Sequence, residues 1–426
     1  MMKKLCMITV TALGAFLLCD LGQAYPIDGY KYTGISRLDF YDLAQQGVVS
    51  GRQLPAGGKL PLATIHPRYP KLNSIDSVQL DEQYAQQITT FLGEQTDNYG
   101  VALLDLSNPD QPIYAEHNPD YKSNVGSVGK LIVGIGLFTV LAELYPEIAD
   151  RENLLRTAKV TADRFIENDH HKVPIWDVEN RSLQHRALKI GDEATLWEYV
   201  DWMLSASSNA AASMVMREIL LLRHFGHEYP ASPQRTQEYL EKVSSTQIRD
   251  VILPALATPL QNHGLDTDQL RQGSFFSRYG KNRMGGTSSF GTPRELMKLL
   301  LLMERGELVD EFTSRELKRM LYMTQRRIRY ISHPALSDSA AYFKSGSLYS
   351  CVPEEGFVCR KYQGNKRNTL ASVAIIETEK EGRNLHYMAV VISNVLRVNS
   401  AVAHQTLALR IHRMIEQRQQ QSDTTQ

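Results

Sequence analysis

The 426-residue chain balances 47 lysines and arginines against 47 aspartates and glutamates, and 42% of its residues are hydrophobic and 8% aromatic. That length exceeds what one compact core usually holds, so one large domain with two lobes, or two domains, is expected. The charge balance argues against a nucleic-acid partner, which calls for a basic surface.

Lys3 and Lys4 precede an apolar run from Leu5 to Leu18, and Leu21-Gly22-Gln23-Ala24 supplies small residues before Tyr25. This is the pattern of a signal peptide, residues 1–24, cleaved after Ala24. The mature protein is then expected in the periplasm or outside the cell, with no stable membrane span, since the apolar run is short for one. Residues 25–77 form a polar lead-in to which the sequence assigns no role. Leu80, Tyr84, Ile88, Phe91 and Leu92 fall on one helical stripe. Val101 to Leu106 and Ile113 to Ala115 read as a strand pair across Asn108-Pro109-Asp110.

Next comes Ser127-Val128-Gly129-Lys130, opening a helix with no polar face from Leu131 to Leu141. Such a helix belongs at the centre of a core. Thr161 to Arg186, with Asn168-Asp169-His170-His171, reads as surface loop. Thr195 and Glu198 make a capping box for a helix ending near Ser205. Ser207-Ser208-Asn209 therefore sits in an interhelical turn, with Asn209 a candidate cap for the helix that follows. Thr292-Pro293-Arg294-Glu295 starts another helix, and Thr313 with Glu316 repeats the box. Strands return at Ala341 to Tyr349, Thr369 to Thr378 and His386 to Asn394, the last two joined at Glu381-Gly382. A helix from Ala401 to about Arg418 leads into a Gln-rich tail, 419–426, expected to be disordered.

The order of elements predicts an α+β fold. An antiparallel sheet of about five strands is assembled from both ends of the chain and flanked by N- and C-terminal helices. An all-helical lobe, about 120–335, is inserted between its strands. Cys6 and Cys19 leave with the signal peptide. Cys351 and Cys359 flank the turn-like Pro353-Glu354-Glu355-Gly356 and read as a disulfide in an oxidising compartment.

Three short segments carry the chemistry. A serine is a poor nucleophile until a base takes its proton. At i and i+3 on a helix, Lys130 can reach the Ser127 hydroxyl. Burial in the apolar helix, with positive charge from Lys344, would lower its pKa so that it can act as that base. Ser207 is the candidate proton carrier to a leaving nitrogen, and Asn209 the candidate holder of a substrate amide. Lys344-Ser345-Gly346 adds a second amine, which would orient Ser207 and attract a carboxylate. Gly346 would let an extended substrate lie along the strand, and the N–H groups of Ser127 and Ser347 would form an oxyanion hole.

Each segment alone is weak; their conjunction and order resemble the penicillin-recognising serine hydrolases, the class A β-lactamases and D,D-peptidases. The stretch from Ile190 to Met203, followed by Ser207-Ser208-Asn209-Ala210-Ala211, is similar to the second-motif region of the class A enzymes. Thr292-Pro293-Arg294-Glu295-Leu296 is similar to a helix start ahead of their third motif. The resemblance covers about residues 78–418 and implies an acyl-enzyme on Ser127, with β-lactams or D-alanyl-D-alanine stem peptides as substrates. It implies no metal, no organic cofactor and a monomer. His170, His171, His224 and His227 show no ligand spacing. Two departures stand out. Ser208 occupies a position usually held by aspartate, and no Glu-x-x-Leu-Asn segment follows Asn209 to supply a deacylating glutamate. Glu218, Glu228, Glu238 and Glu241 lack that pattern, which leaves Asp266 and Asp268 as candidates. Readily formed but slowly hydrolysed acyl-enzyme is the expectation.

Overall fold

The computed structural model describes residues 28–51, 55–324, 327–380 and 383–424. The expected signal peptide and the turn expected at Glu381-Gly382 lie outside the described residues. Two short helices, α1 (Gly29–Thr33) and α2 (Ser36–Gln45), precede α3 (Glu82–Leu92), β1 (Tyr99–Asp105) and β2 (Ile113–His117). The middle of the chain holds α4 (Lys130–Leu144), α5 (Ile148–Thr157), β3 (Lys159–Thr161), β4 (Val173–Asp177), β5 (Ser182–Arg186) and β6 (Glu193–Thr195). It continues through α6 (Leu196–Leu204), α7 (Asn209–Phe225), α8 (Pro233–Lys242), α9 (Ser245–Asn262), α10 (Arg278–Met284), α11 (Pro293–Glu304) and α12 (Glu311–Tyr322). Then come β7 (Ala340–Ser350), β8 (Arg367–Lys380), β9 (Arg383–Asn394) and α13 (Ser400–Thr424).

The five-stranded sheet has the order β2-β1-β9-β8-β7, antiparallel throughout. This is the α+β architecture expected from the element order. Side chains alternate between its two faces, as the pleat requires. Ala102, Leu104, Val373, Ile375 and Val390 join the core of the helical lobe. Val101, Leu103, Ala374, Ile376 and Val391 pack instead with Ile88 of α3 and Leu407, Ile411 and Ile415 of α13. At the centre of the lobe, α4 is buried from Lys130 through Phe138, as its lack of a polar face dictates.

Several elements differ from their sequence reading. The lead-in is part of the core: Ile35, Leu38, Leu62 and Ile65 are each at most 1% exposed. Arg37 is bonded to Asp201 of α6 at 2.6 Å on both carboxylate oxygens, with both side chains buried. The stretch expected as surface loop holds the β4–β5 hairpin, whose Val173 and Trp176 are buried. Trp176 is a loop anchor, its indole N–H donating to Asp39 of α2 at 2.8 Å. Ser208, not Asn209, caps α7. Asp310 caps α12 through the Thr313 N–H, so Thr313 lies inside the helix rather than starting it. Glu295 does not reach back to its cap, because its carboxylate accepts from the Asp266 N–H at 2.9 Å and pairs with Lys298. The C-terminal helix continues through Gln419, Gln420 and Gln421 to Thr424, where a disordered tail was expected.

Candidate active site

Ser127 sits on a 3-10 turn, Gly126–Gly129, that feeds into α4. Strand β7 lies at the sheet edge and its Gly346 crosses this turn in close contact. A Cβ on Gly346 would stand 2.0 Å from the Val125 carbonyl oxygen and 2.4 Å from the Ser127 nitrogen. The glycine is therefore needed for the strand to approach the nucleophile turn, a role distinct from the substrate contact its motif suggested. Ser207 comes from the α6–α7 connection with φ of 61°, a left-handed conformation a serine adopts only at a cost.

The three segments converge. Lys130 Nζ lies 2.9 Å from Ser127 Oγ and donates to the Ser207 carbonyl at 2.7 Å and to Asn209 Oδ1 at 2.8 Å. Lys344 Nζ lies 2.8 Å from Ser207 Oγ. Ser127, Ser207, Asn209, Lys344, Ser345 and Ser347 all line one cleft of about 910 Å³ between the sheet and the helical lobe. Cys351 and Cys359 are disulfide-bonded just beyond the end of β7.

Burial lowers the Lys130 amine to about 7, against the opposing charge of Asp169. Lys344 lies well below the usual lysine value, through burial first and then the charges of Lys130 and Arg329. The coupling thus runs opposite to its sequence reading: the charge of Lys130 depresses Lys344, while burial suffices for Lys130. Burial and neighbouring charge disfavour the charged form of Lys344, and Arg329 lines the cleft with it.

Arg329 was not foreseen. Its guanidinium donates to Ser345 Oγ at 2.6 Å and to the Tyr362 hydroxyl at 3.2 Å. No motif surrounds it in sequence; only the fold of the segment before β7 brings it to the cleft. Asp169 was likewise read as surface, although the β-branched Val173 and Ile175 and the aromatic Trp176 are a strand signal beside it. Burial pushes its carboxyl up, but bonds from His171 and the Ala210 N–H outweigh this and hold it well below the usual carboxylate range. Gln272, on the segment between α9 and α10, packs its buried Oε1 against Gly129.

No aspartate or glutamate is among the described residues lining the cleft. Asp266 and Asp268 are exposed and away from it, so neither candidate deacylating carboxylate is brought to Ser127. His170 and His171 line the cleft, while His224 stacks on Tyr239 and His227 meets the Tyr145 ring edge-on. Among the described residues, the one ligand-type cluster is Glu304, Glu377 and His386. The Lys318 amine already fills its centre, 2.7 and 2.6 Å from the two carboxylates, which makes it an ion-pair network.

An edge strand crossing a serine turn, two depressed amines and an amide at the seam of sheet and lobe define a hydrolase site of the β-lactamase and penicillin-binding type. The sequence profile described as the beta-lactamase enzyme family matches residues 83–391, and the chain belongs to that family. Among solved structures, TLA-3 extended-spectrum beta-lactamase is similar at 12% identity and a TM-score of 0.52, over 78% of this chain and 97% of that one. A beta-lactamase from Chitinophaga pinensis DSM 2588 is similar at 12% identity and a TM-score of 0.50, over 79% and 99%. PBP-A is matched at 13% identity and a TM-score of 0.49, over 80% and 98%. The first two likenesses show the fold. No curated protein matches the chain in sequence.

Proposed function

We propose that the protein is an exported serine hydrolase that is acylated on Ser127 by β-lactams or D-alanyl-D-alanine-type peptides and releases the acyl group slowly. The observation that carries this reading is the 2.9 Å contact between Ser127 Oγ and a fully buried Lys130 amine held near 7. Near neutral pH a substantial share of that amine is neutral and can accept a proton. Ser127 Oγ attacks the substrate carbonyl while its proton passes to Lys130 Nζ. The developing oxyanion is met by the N–H groups of Ser127 and Ser347. The C–N bond then breaks: Ser207 Oγ, hydrogen-bonded to Lys344, delivers its proton to the departing nitrogen and takes up the proton held by Lys130, so that both amines and the Ser207 hydroxyl end as they began. Arg329, always charged, receives the substrate carboxylate beside Ser345. Side chains and the substrate complete this step.

Hydrolysis of the ester requires an activated water. A cleft with no carboxylate among its described lining residues supports slow release, which favours a D,D-peptidase or a penicillin-binding sensor over a fast lactamase. The mature protein mixed with a chromogenic cephalosporin and, separately, with a D-alanyl-D-alanine peptide tests this. A stoichiometric burst followed by slow turnover of the cephalosporin is expected. Sustained fast turnover would overturn slow release, and no burst with either compound would overturn acylation.

A further inference from the structure

Both carbonyl acceptors that hold the Lys130 amine, the Ser207 backbone oxygen and Asn209 Oδ1, come from one three-residue segment. That segment begins with a residue in a left-handed conformation and reaches α7 only at its last residue, Asn209. Asp169 braces it. One carboxylate oxygen accepts from Ser208 Oγ at 3.0 Å and from the Ala210 N–H at 2.8 Å, gripping the chain on both sides of Asn209. The other accepts from the His171 N–H at 3.2 Å and lies 2.5 Å from His171 Nδ1. The Asp169 side chain is 3% exposed although it lies in a connection between strands. Ser208 cannot do this alone, because its hydroxyl oxygen is already the cap for the Ala211 N–H at 3.1 Å.

We infer that Asp169 is a positioning residue for acylation: its carboxylate, reaching from the β3–β4 connection, clamps the start of α7 and so sets the place of the Lys130 amine against Ser127. This inference rests on the acyl-enzyme reading above. The groups facing Lys130 are Ser127 on the nucleophile turn, Ser207 and Asn209, the Phe276 ring at 4.9 Å, Lys344 on β7 with Arg329 beyond it, and Asp169 with His171. Asp169 is the one anion in that set. Its charge favours the ammonium form, so its removal should make Lys130 easier to deprotonate.

The test compares benzylpenicillin acylation rates of wild type, Asp169→Asn and Asp169→Asn/Ser208→Asp from pH 5 to 9, with thermal melts alongside. The double variant moves the carboxylate onto the cap itself, a position aspartate fills well. Asp169→Asn should lower the plateau rate at least tenfold, on the order expected when a clamped geometry slackens. It should also shift the acid limb of the profile to lower pH. The double variant should return the plateau to within about threefold of wild type and the limb to its wild-type midpoint. A rate within twofold and an unmoved limb in Asp169→Asn would overturn the inference. So would a slower single variant whose limb stays put and whose double variant shows no recovery, the behaviour of a merely structural residue. Should the single variant not fold, the plateau rate of the double variant decides: a value within about threefold of wild type supports the inference, and a folded double variant more than about tenfold slower would overturn it. Absence of acylation in wild type would instead sink the acyl-enzyme reading, and this inference with it.

Discussion

Replacing Gly346 with alanine adds one methyl group, and the structure fixes where it must go. The new Cβ would stand 2.0 Å from the Val125 carbonyl oxygen, 2.4 Å from the Ser127 nitrogen and 2.9 Å from the Gly126 carbonyl carbon. All three are backbone atoms, so no side chain can swing aside. Real Cβ contacts are essentially never shorter than 3.0 Å, so strand and turn must part by about 1 Å. Such overpacking costs about 1–3 kcal/mol of stability. A 1 Å displacement of a nucleophile costs about 100-fold in rate. Gly346→Ala should therefore melt a few degrees lower and acylate with benzylpenicillin about 100-fold more slowly, read by thermal denaturation and by intact-protein mass against time. The paired readout separates two explanations of the glycine. If it served only to let substrate lie along the strand, acylation would fall while the melting temperature stayed unchanged. A variant with wild-type stability and a rate within twofold would refute the close approach altogether.

Other expectations follow from the same contacts. Because the Lys130 amine is held at about 7 in the fold, against 10.5 as its ordinary value, the unfolded chain binds the extra proton between those values. This group's contribution to stability should rise with pH across that window, with Lys344 adding the same sign. A denaturation series should show a slope that weakens in Lys130→Met; an identical slope would contradict the depression. Arg37→Ala leaves Asp201 charged and fully buried, which costs about 3–5 kcal/mol. Urea unfolding should show it, and a loss below about 1 kcal/mol would mean the N-terminal segment only rests on the lobe. Cys351→Ser/Cys359→Ser opens a short loop and should cost about 2–3 kcal/mol on the chain-entropy model. Thiol titration of the denatured, unreduced mature protein should find no free thiol.

What the sequence disclosed follows its local rules. The run from Leu131 to Leu141, whose one polar residue is Thr139, marks a helix that must be central, because it has no polar face to turn to water. Thr195 and Glu198 form the capping box their spacing implies, with both reciprocal bonds present. What stayed hidden depends on partners far along the chain. Arg37 is an unremarkable polar residue until Asp201 arrives 164 positions later. Asp169 among asparagine and histidines looks solvated, and only the start of α7 adds the Ser208 hydroxyl and the Ala210 N–H to the contacts its carboxylate makes with His171. Arg329 reaches the cleft because the chain ahead of β7 turns through a positive φ of 55° at that residue, which no motif announces. The Gln-rich end is helical because α13 is already nucleated and packed through Ile411 and Ile415, so extension needs no new nucleus.

The central claim is that the Ser127 hydroxyl, paired with a buried amine, becomes covalently modified and stays so. Intact-protein mass spectrometry of the mature chain during and after brief exposure to benzylpenicillin measures this directly, with peptide mapping to locate the adduct. The account predicts a single penicilloyl group on Ser127 that outlasts removal of free drug and is absent from Ser127→Ala. An adduct on another residue, or an unmodified Ser127 while the drug is consumed, would contradict it.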